Sequence, residues 1–263
     1  MLVFFLPETN KDPHFKIIYN TNLLNNVNNN KYDFSYILNN SKKSIYIKIP
    51  TFRIMATKNL LNFCKKIKYN KEITHIILDL RNNGDGNSLN TDEIFKKLYG
   101  LEMLNYIKYK WNKNIKKLWR NSKDVVKRLT SYNTKYHNNI IKNMKKSNKD
   151  IYIEIPNYKK IKKPINFLKN RFIYLLINKN CYSSCLICID YFKLVKNNIF
   201  LVGINPMGYD TDYTEIIDFI LPSKIGRIII PTKKIIGKIR KSGERYYPDI
   251  KNLDYIKELM IQV

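Results

Sequence analysis

The residues with the clearest chemical potential lie at 181–188, where two serines, Ser183 and Ser184, stand between cysteines. An apolar run over 172–178 precedes them and predicts a buried strand, and a second run over 186–195 predicts a buried helix. A hydroxyl at such a strand-to-helix turn lies beside the free N–H groups and the positive dipole end of the helix. Both favour developing negative charge, so the turn suits a nucleophile. The alternative role for Ser183 is to cap the helix.

The cysteines at this turn allow a second interpretation. Cys181, Cys185 and Cys188 have the spacing C-x3-C-x2-C, which resembles the cluster loop of iron–sulfur radical enzymes that use S-adenosylmethionine. Only 75 residues follow Cys188, whereas a complete eightfold barrel needs about 250. The other interpretation is that these cysteines, with Cys64, are small buried hydrophobic residues. We expect no cofactor.

A glycine-containing loop is the second informative stretch. The apolar run over 73–80 predicts another buried strand, and it leads into a loop that contains Gly84 and Gly86. Glycines permit close backbone approach, and successive N–H groups can form an anion-binding concavity. The spacing of a P-loop and the dinucleotide fingerprint are both absent. A plain turn shaped by glycines is the alternative.

Several segments in order resemble one family. Residues 76–86 resemble the strand and loop of the tail-specific (C-terminal processing) proteases and tricorn core peptidases, which show Leu-Asp-Leu-Arg-x-Asn before two glycines. Residues 174–185 resemble the nucleophile segment of that family, Asn-x-x-Thr/Cys-x-Ser. The other matching segments are 44–52, 201–203, 221–223 and 247–250.

The resemblance implies a serine peptidase with an α/β fold, the layered architecture of the crotonase group. It places the nucleophile at Ser183 and one oxyanion donor at the N–H of Ser184. The second donor is the N–H of Gly84 or Asp85, in agreement with the need of acyl transfer for a hydroxyl and two N–H groups. Glu244 lies near the position of a glutamate that orients the base in tricorn-like members.

The general base is not evident from the sequence. Tyr209 occupies the position where processing proteases have a lysine, and a tyrosine needs a strongly shifted pKa to act as a base near neutral pH. Tricorn-like members use a histidine from the region before the core as the base, and His14 is the candidate for it here. We expect His75 to be structural and His137 to lie on the surface of a helical insertion. Asp85 replaces a family glycine and brings a carboxylate towards the oxyanion site.

The remaining sequence predicts the domain organisation. Residues 1–40 are expected to be a short N-terminal segment with a loop at 22–30, and 41–263 the peptidase domain. A helical insertion is predicted at about 92–150 from apolar residues at helical spacing. Those residues are Leu98, Leu101, Leu104, Tyr106, Ile107, Trp111, Ile115, Leu118, Trp119, Val125, Val126 and Leu129.

The composition narrows the function further. The net charge of +27 comes from lysines scattered along the whole chain, so we expect a compositional bias and no nucleic-acid partner. The sequence contains no apolar run long enough for a transmembrane helix and no signal peptide, although family relatives are often extracytoplasmic. Two hypotheses follow: an active serine endopeptidase acting on polypeptides, or a degenerate relative that binds peptides without hydrolysis.

Overall fold

The computed structural model describes residues 16–19, 35–39, 43–53, 58–84, 86–156, 159–166, 168–195, 198–204, 212–220, 226–240, 243–254 and 256. The predicted loop at 22–30 and the segment 221–223 lie outside them. The strands are β1 (Lys16–Tyr19), β2 (Ser35–Asn39), β3 (Ser44–Lys48), β4 (His75–Asp79), β5 (Lys116–Arg120), β6 (Ile151–Glu154), β7 (Phe172–Leu176), β8 (Asn198–Val202), β9 (Tyr213–Ile220) and β10 (Gly226–Ile236). The helices are α1 (Lys58–Tyr69), α2 (Ser88–Tyr99), α3 (Leu101–Asn112), α4 (Lys123–Ser131), α5 (Lys135–Lys146) and α6 (Ser184–Val195).

The chain divides into two compact units, each built from three segments. One unit draws its residues from Met1–Asn28, Lys113–Asn157 and Thr211–Lys241. The other draws them from Asn29–Asn112, Tyr158–Asp210 and Ser242–Val263, and it contains both stretches that the sequence singles out for chemistry. The domain boundaries expected from the sequence stay predictions.

The sheet of the second unit has the order β2-β3-β4-β7-β8, with β2 antiparallel and the other four strands parallel. Strands β3, β4 and β7 are almost entirely buried, as expected for parallel strands covered on both faces. Ile77 and Tyr174 lie in a core cluster on one face, together with Val202 and Ile256. The strands predicted at 73–80 and 172–178 are confirmed by β4 and β7.

Helices surround this sheet and bury aromatic residues. Helix α2 packs against α1, α3 and α6. The ring of Phe95 in α2 stacks on Tyr99 and meets Tyr191 and Phe192 of α6 edge-on. These edge-on contacts match the quadrupoles of the rings and hold α6 firmly against α2. The buried helix predicted at 186–195 is confirmed.

The described strands of the first unit form an antiparallel sheet. Strand β10 pairs with β1, β5 and β9, and β5 pairs with β6. Helices α4 and α5 bury Val125, Leu129 and Met144 against Trp119. The sheet of this unit was not predicted from the sequence, since β6, β9 and β10 gave no recognised signal.

One part of the predicted helical insertion was wrong. Leu118 and Trp119 were placed on a helix, but they lie on β5, where they pair with Ile153 and Tyr152 of β6. The apolar positions around them fit helical spacing, yet pairing on both sides of β5 overrides that local preference. Four helices occupy the rest of the predicted span, at α2, α3, α4 and α5.

Candidate active site

The two stretches with chemical potential meet at one edge of the parallel sheet. Strands β4 and β7 are parallel neighbours, with Asp79 opposite Leu176 at their carboxyl ends. The loops that follow them, 80–87 and 177–183, therefore emerge side by side. The crevice outside the carboxyl ends of parallel strands is the usual ligand site of open α/β sheets.

The candidate nucleophile, Ser183, lies in the turn immediately before α6. Its φ of 52° is in the left-handed region, which a residue other than glycine seldom adopts. The turn is held by the N–H of Cys185, which donates to the Tyr182 carbonyl at 3.0 Å, and by the N–H of Ile187, which donates to the Ser183 carbonyl at 3.2 Å. Such local strain is often found at functional sites. Ser183 is partly exposed.

The Ser183 hydroxyl is not used for capping. Within the described part of the chain it has no hydrogen-bond partner, whereas the capping hydroxyl of Ser122 accepts from the N–H of Val125 at the start of α4. Among the same residues, the N–H groups of Gly84 and Ser184 are also without a hydrogen-bond acceptor. A free hydroxyl near free N–H groups is what an acyl-transfer site requires.

The glycine loop lies directly against the nucleophile turn. The Asn83 carbonyl accepts from the N–H of Tyr182 at 3.2 Å, and the Leu80 carbonyl accepts from the Cys181 thiol at 3.0 Å. A Cβ at Gly84 would be 3.7 Å from the Asn180 carbonyl oxygen, so Gly84 lies beside the turn. The roles given to Gly84 and Ser184 remain predictions, and Asp85 lies outside the described residues.

Gly86 is fixed by a close backbone contact that no other residue allows. Its φ is 141°, and an added Cβ would lie 2.0 Å from the carbonyl carbon of Phe52. The Phe52 carbonyl accepts from the N–H of Asn87 and from the side-chain amide of Asn90, both at 2.8 Å. On its other side, the Gly86 carbonyl accepts from the Ser184 hydroxyl at 2.6 Å.

Three asparagines join the two loops nearer the surface. The N–H of Asn82 donates to the side-chain oxygen of Asn178 at 3.0 Å. The side-chain oxygen of Asn82 accepts from the amides of Asn178 and Asn180, each at 2.9 Å. Asn82 has a φ of 63°, a conformation that asparagine tolerates better than most residues. Sequence analysis missed this cluster, although the Asn-Asn pair before Gly84 was its signal.

An ion pair anchors the start of the glycine loop. Arg81 donates to both carboxylate oxygens of the buried Asp79, at 2.8 and 2.6 Å, and the Tyr46 hydroxyl donates to the same carboxylate at 2.7 Å. Burial alone would raise the pKa of Asp79, but hydrogen bonds from Arg81 and Tyr46 lower it overall. Burial, and then the bond to Asp79, raises the pKa of Tyr46. The Asp and Arg of the family motif thus have a positioning role.

Replacing Asp79 with asparagine should destabilise the protein by about 2 kcal/mol at pH 7, because the partly exposed Arg81 loses its charged partner. The folded pKa of Asp79 is below the unfolded value, so its contribution is complete above about pH 4–5 and is lost as the pH falls through the folded pKa. Urea unfolding of wild type and variant at pH 7 and pH 3 measures both effects.

The control for this prediction is Glu93→Gln, which removes an exposed ion pair to Lys96 and should change stability by less than about 0.5 kcal/mol. A stability difference for Asp79→Asn that is the same at both pH values would contradict the assignment of its stabilisation to the ionised carboxylate.

The segment around Glu244 is attached to the far part of α6. Glu244 is exposed and follows Gly243, whose φ is 81°. Nearby, the Tyr246 hydroxyl donates to the buried Asp190 at 2.8 Å, and the indole N–H of Trp111 donates to the other oxygen of that carboxylate at 3.0 Å. In the described part of the chain no side chain hydrogen-bonds Ser183, so the proposed role of Glu244 remains a prediction.

The candidate bases divide into two groups. His14 and Tyr209 lie outside the described residues. His75 stacks on Phe172 and Tyr174, with ring centroids 5.3 and 6.0 Å apart, and burial lowers its pKa. Its place in the β4 core agrees with the structural role that was expected.

His137 is partly buried in α5, so it is less exposed than the surface position predicted for it. Its ring packs on Tyr132 at a centroid distance of 4.6 Å, and its Nδ1 is 2.7 Å from the Thr134 hydroxyl oxygen. Burial lowers its pKa. These contacts indicate a structural role in the first unit.

The cysteines are buried, and their environments differ. Burial raises the pKa of the Cys188 thiol. A hydrogen bond with the Cys185 thiol lowers the pKa of Cys181, against the burial that would raise it. Across the described ranges, no group of three or more His, Cys, Asp or Glu side chains could hold a metal ion, and the iron–sulfur alternative gains no support. No described helix has the length and apolarity needed to span a membrane.

The sequence matches the family model of Peptidase family S41 over residues 43–219, which is more than half of the chain. The chain therefore belongs to peptidase family S41, a family of serine proteases, and the family suggested by its motifs is confirmed. No curated protein matches the sequence significantly.

The chain is also similar to several solved structures. A lipoprotein from Streptococcus agalactiae is 17% identical, with 87% of this chain and 68% of that chain covered and a TM-score of 0.42. The photosystem II D1 C-terminal processing protease is 11% identical, with 84% and 47% covered and a TM-score of 0.40. Mature CPAF complexed with lactacystin is 12% identical, with 83% and 49% covered and a TM-score of 0.46. The chain spans about half the length of the last two.

Proposed function

We propose that this chain is a serine endopeptidase of the tail-specific type that cleaves polypeptides through an acyl-enzyme on Ser183. The observation that carries the proposal is the turn before α6 in a member of family S41. There Ser183 is held at a φ of 52°, and its hydroxyl has no partner in the described part of the chain. A serine that served only to cap α6 would use its hydroxyl on the helix N–H groups.

The chemistry follows from the neighbouring groups. The Ser183 oxygen attacks the carbonyl carbon of the scissile peptide bond, and the carbonyl oxygen becomes the oxyanion of a tetrahedral intermediate. The N–H of Ser184 and an N–H from Gly84 or Asp85 donate to that oxyanion. Collapse of the intermediate releases the amine product with a proton, and water then hydrolyses the acyl-enzyme. Each backbone donor contributes about 10²–10³ in rate in comparable sites.

The proton of the Ser183 hydroxyl must pass to a base as the bond to the substrate forms. Tyr209 and His14 are the candidates from the resemblance to the family, with Glu244 as the residue that orients the base. Tyr246 and Asp190 support this assignment of Glu244 by holding its segment to α6, the helix that follows the nucleophile.

We also propose that the unit carrying the site has the layered architecture of the crotonase group. The parallel order β3-β4-β7-β8, with α1, α2 and α6 packed together, supports this proposal. The substrate is proposed to be a polypeptide, because the family consists of peptidases.

A fluorophosphonate probe tests the proposal directly. The probe phosphonylates an activated serine with loss of fluoride, and peptide mapping by mass spectrometry identifies the labelled residue. We expect one adduct on Ser183 in the folded wild-type protein, and none after heat denaturation. Labelling of another serine would overturn the assignment of the nucleophile.

Absence of any adduct on the folded protein would favour the second hypothesis, a degenerate relative that binds peptides without hydrolysis. The observation that gives this hypothesis weight is that no described side chain contacts the Ser183 hydroxyl as a base. Binding of unstructured polypeptides without cleavage would then be the measurable activity.

A further inference from the structure

The side chain of Ser184 has a contact that its backbone role does not require. Ser184 is buried, with 3% of its surface exposed, and its hydroxyl donates to the Gly86 carbonyl at 2.6 Å. Its own carbonyl accepts from the Thr91 hydroxyl of α2 at 3.5 Å. The first residue of α6 is thus tied to the glycine loop and to the helix that follows that loop.

The other side of Gly86 is fixed independently. It forms a β-bridge with Phe52, which follows strand β3, and has no room for a side chain there. Asn87 and Asn90 both donate to the Phe52 carbonyl. Gly86 is therefore held between the end of β3 and the Ser184 hydroxyl.

We propose that Ser184 is a positioning residue, whose hydroxyl holds the glycine loop at the distance from α6 that oxyanion binding requires. This inference rests on the proposed function of Ser183. One donor is the N–H of Ser184 itself, and the other belongs to the loop that ends at Gly86. A single residue therefore supplies one donor and fixes the segment carrying the second.

A second effect comes from the Gly86 carbonyl. A carbonyl oxygen without a partner near the oxyanion site would repel the negative charge that forms there. The Ser184 hydroxyl engages this oxygen in a short hydrogen bond. Loss of the hydroxyl would release the loop from α6 and would leave the Gly86 carbonyl without its donor, so that its unfavourable dipole is no longer offset.

The test compares Ser184→Ala and Ser184→Thr with wild type in the rate of fluorophosphonate labelling at Ser183. We expect the maximal labelling rate of Ser184→Ala to fall about 10–100-fold, because a displacement near 1 Å can cost about 10² in rate. The probe concentration for half-maximal rate should change less than threefold. Threonine keeps the hydroxyl and should restore most of the rate.

Thr232→Val is the matched control, since it removes another buried hydroxyl that donates to a backbone carbonyl, that of Glu215 at 2.6 Å, in the unit that does not contain Ser183. It should label at the wild-type rate per folded molecule. Equal rates for Ser184→Ala and wild type would overturn the positioning role while leaving the nucleophile intact.

Hydrogen exchange separates this proposal from the proposed function. In Ser184→Ala we expect faster exchange at the amide of Asn87, which is bonded to the Phe52 carbonyl, while the strands β4 and β7 keep their protection. If Ser184→Ala exchanges faster while the wild-type protein is not labelled at Ser183, the positioning role of Ser184 is supported and the peptidase proposal is contradicted. Unchanged exchange in Ser184→Ala would contradict the positioning role even if the wild-type protein is labelled at Ser183.

Discussion

Replacing Ser183 with alanine is expected to reduce polypeptide hydrolysis by at least about 10⁴-fold, the largest functional effect of any single change in this chain. In the proposed mechanism this hydroxyl forms the acyl-enzyme, and alanine offers no atom in its place. Stability should change by less than about 0.5 kcal/mol, because the hydroxyl has no hydrogen bond in the described part of the chain. Cleavage of fluorescein-labelled casein and urea unfolding measure the two quantities.

Ser131→Ala serves as the control for this experiment. Its hydroxyl donates to the Arg128 carbonyl at 2.7 Å on an exposed part of α4, so its removal should leave hydrolysis unchanged. Retention of a tenth or more of the activity in Ser183→Ala would exclude Ser183 as nucleophile. A large loss of stability in the same variant would indicate that the serine has a structural role instead.

The largest effect on folding is expected from Gly86→Ala. The added Cβ would lie 2.0 Å from the Phe52 carbonyl carbon and 2.4 Å from the backbone nitrogen of Arg53, and neither backbone atom can move without breaking the bridge. The φ of 141° adds strain for any side chain. We expect destabilisation of at least about 4 kcal/mol, seen as a lower urea midpoint or as failure to fold.

Alanine substitutions at two other glycines separate the steric clash from the backbone strain as causes of this destabilisation. Gly243 has a φ of 81° with no atom within 4 Å of an added Cβ, so Gly243→Ala should cost only the backbone strain, about 1–2 kcal/mol. Gly84→Ala would place its Cβ at an ordinary contact distance of 3.7 Å from Asn180 and should cost less than about 1 kcal/mol. A loss in Gly86→Ala no larger than in Gly243→Ala would show that the loop yields to the added methyl group.

The buried strands of the parallel core could be predicted because their sequence signals are local. The strands at 73–80 and 172–178 are continuous apolar runs, and a strand buried on both faces needs no alternation. The turn at Ser183 and the loop at Gly84 were located from the change between such runs and polar residues. The family resemblance implied that they belong to one site, but the parallel pairing of β4 with β7 that brings them together was not predicted.

The first unit could not be predicted in the same way, because its strands depend on distant partners. Trp119 occupies helical spacing in the sequence, and only pairing with β6 and β10 determines that it lies on a strand. Strand β10 is bonded to three strands that are far from one another in the chain. The general base has the same difficulty, since a base reaches its serine through tertiary contacts that local spacing does not encode.

The bridge between Val202 and Ile250 has a consequence for the newly made chain. Strand β8 pairs on one side with β7, and on the other side it accepts the N–H groups of Asp249 and Ile250 at the Leu201 carbonyl. About fifty residues separate these partners in the sequence. At a translation rate of about 5–20 residues per second, residues 249–250 are synthesised roughly 2–10 s after β8. During that interval the outer side of β8 is an open strand edge that another nascent chain can join.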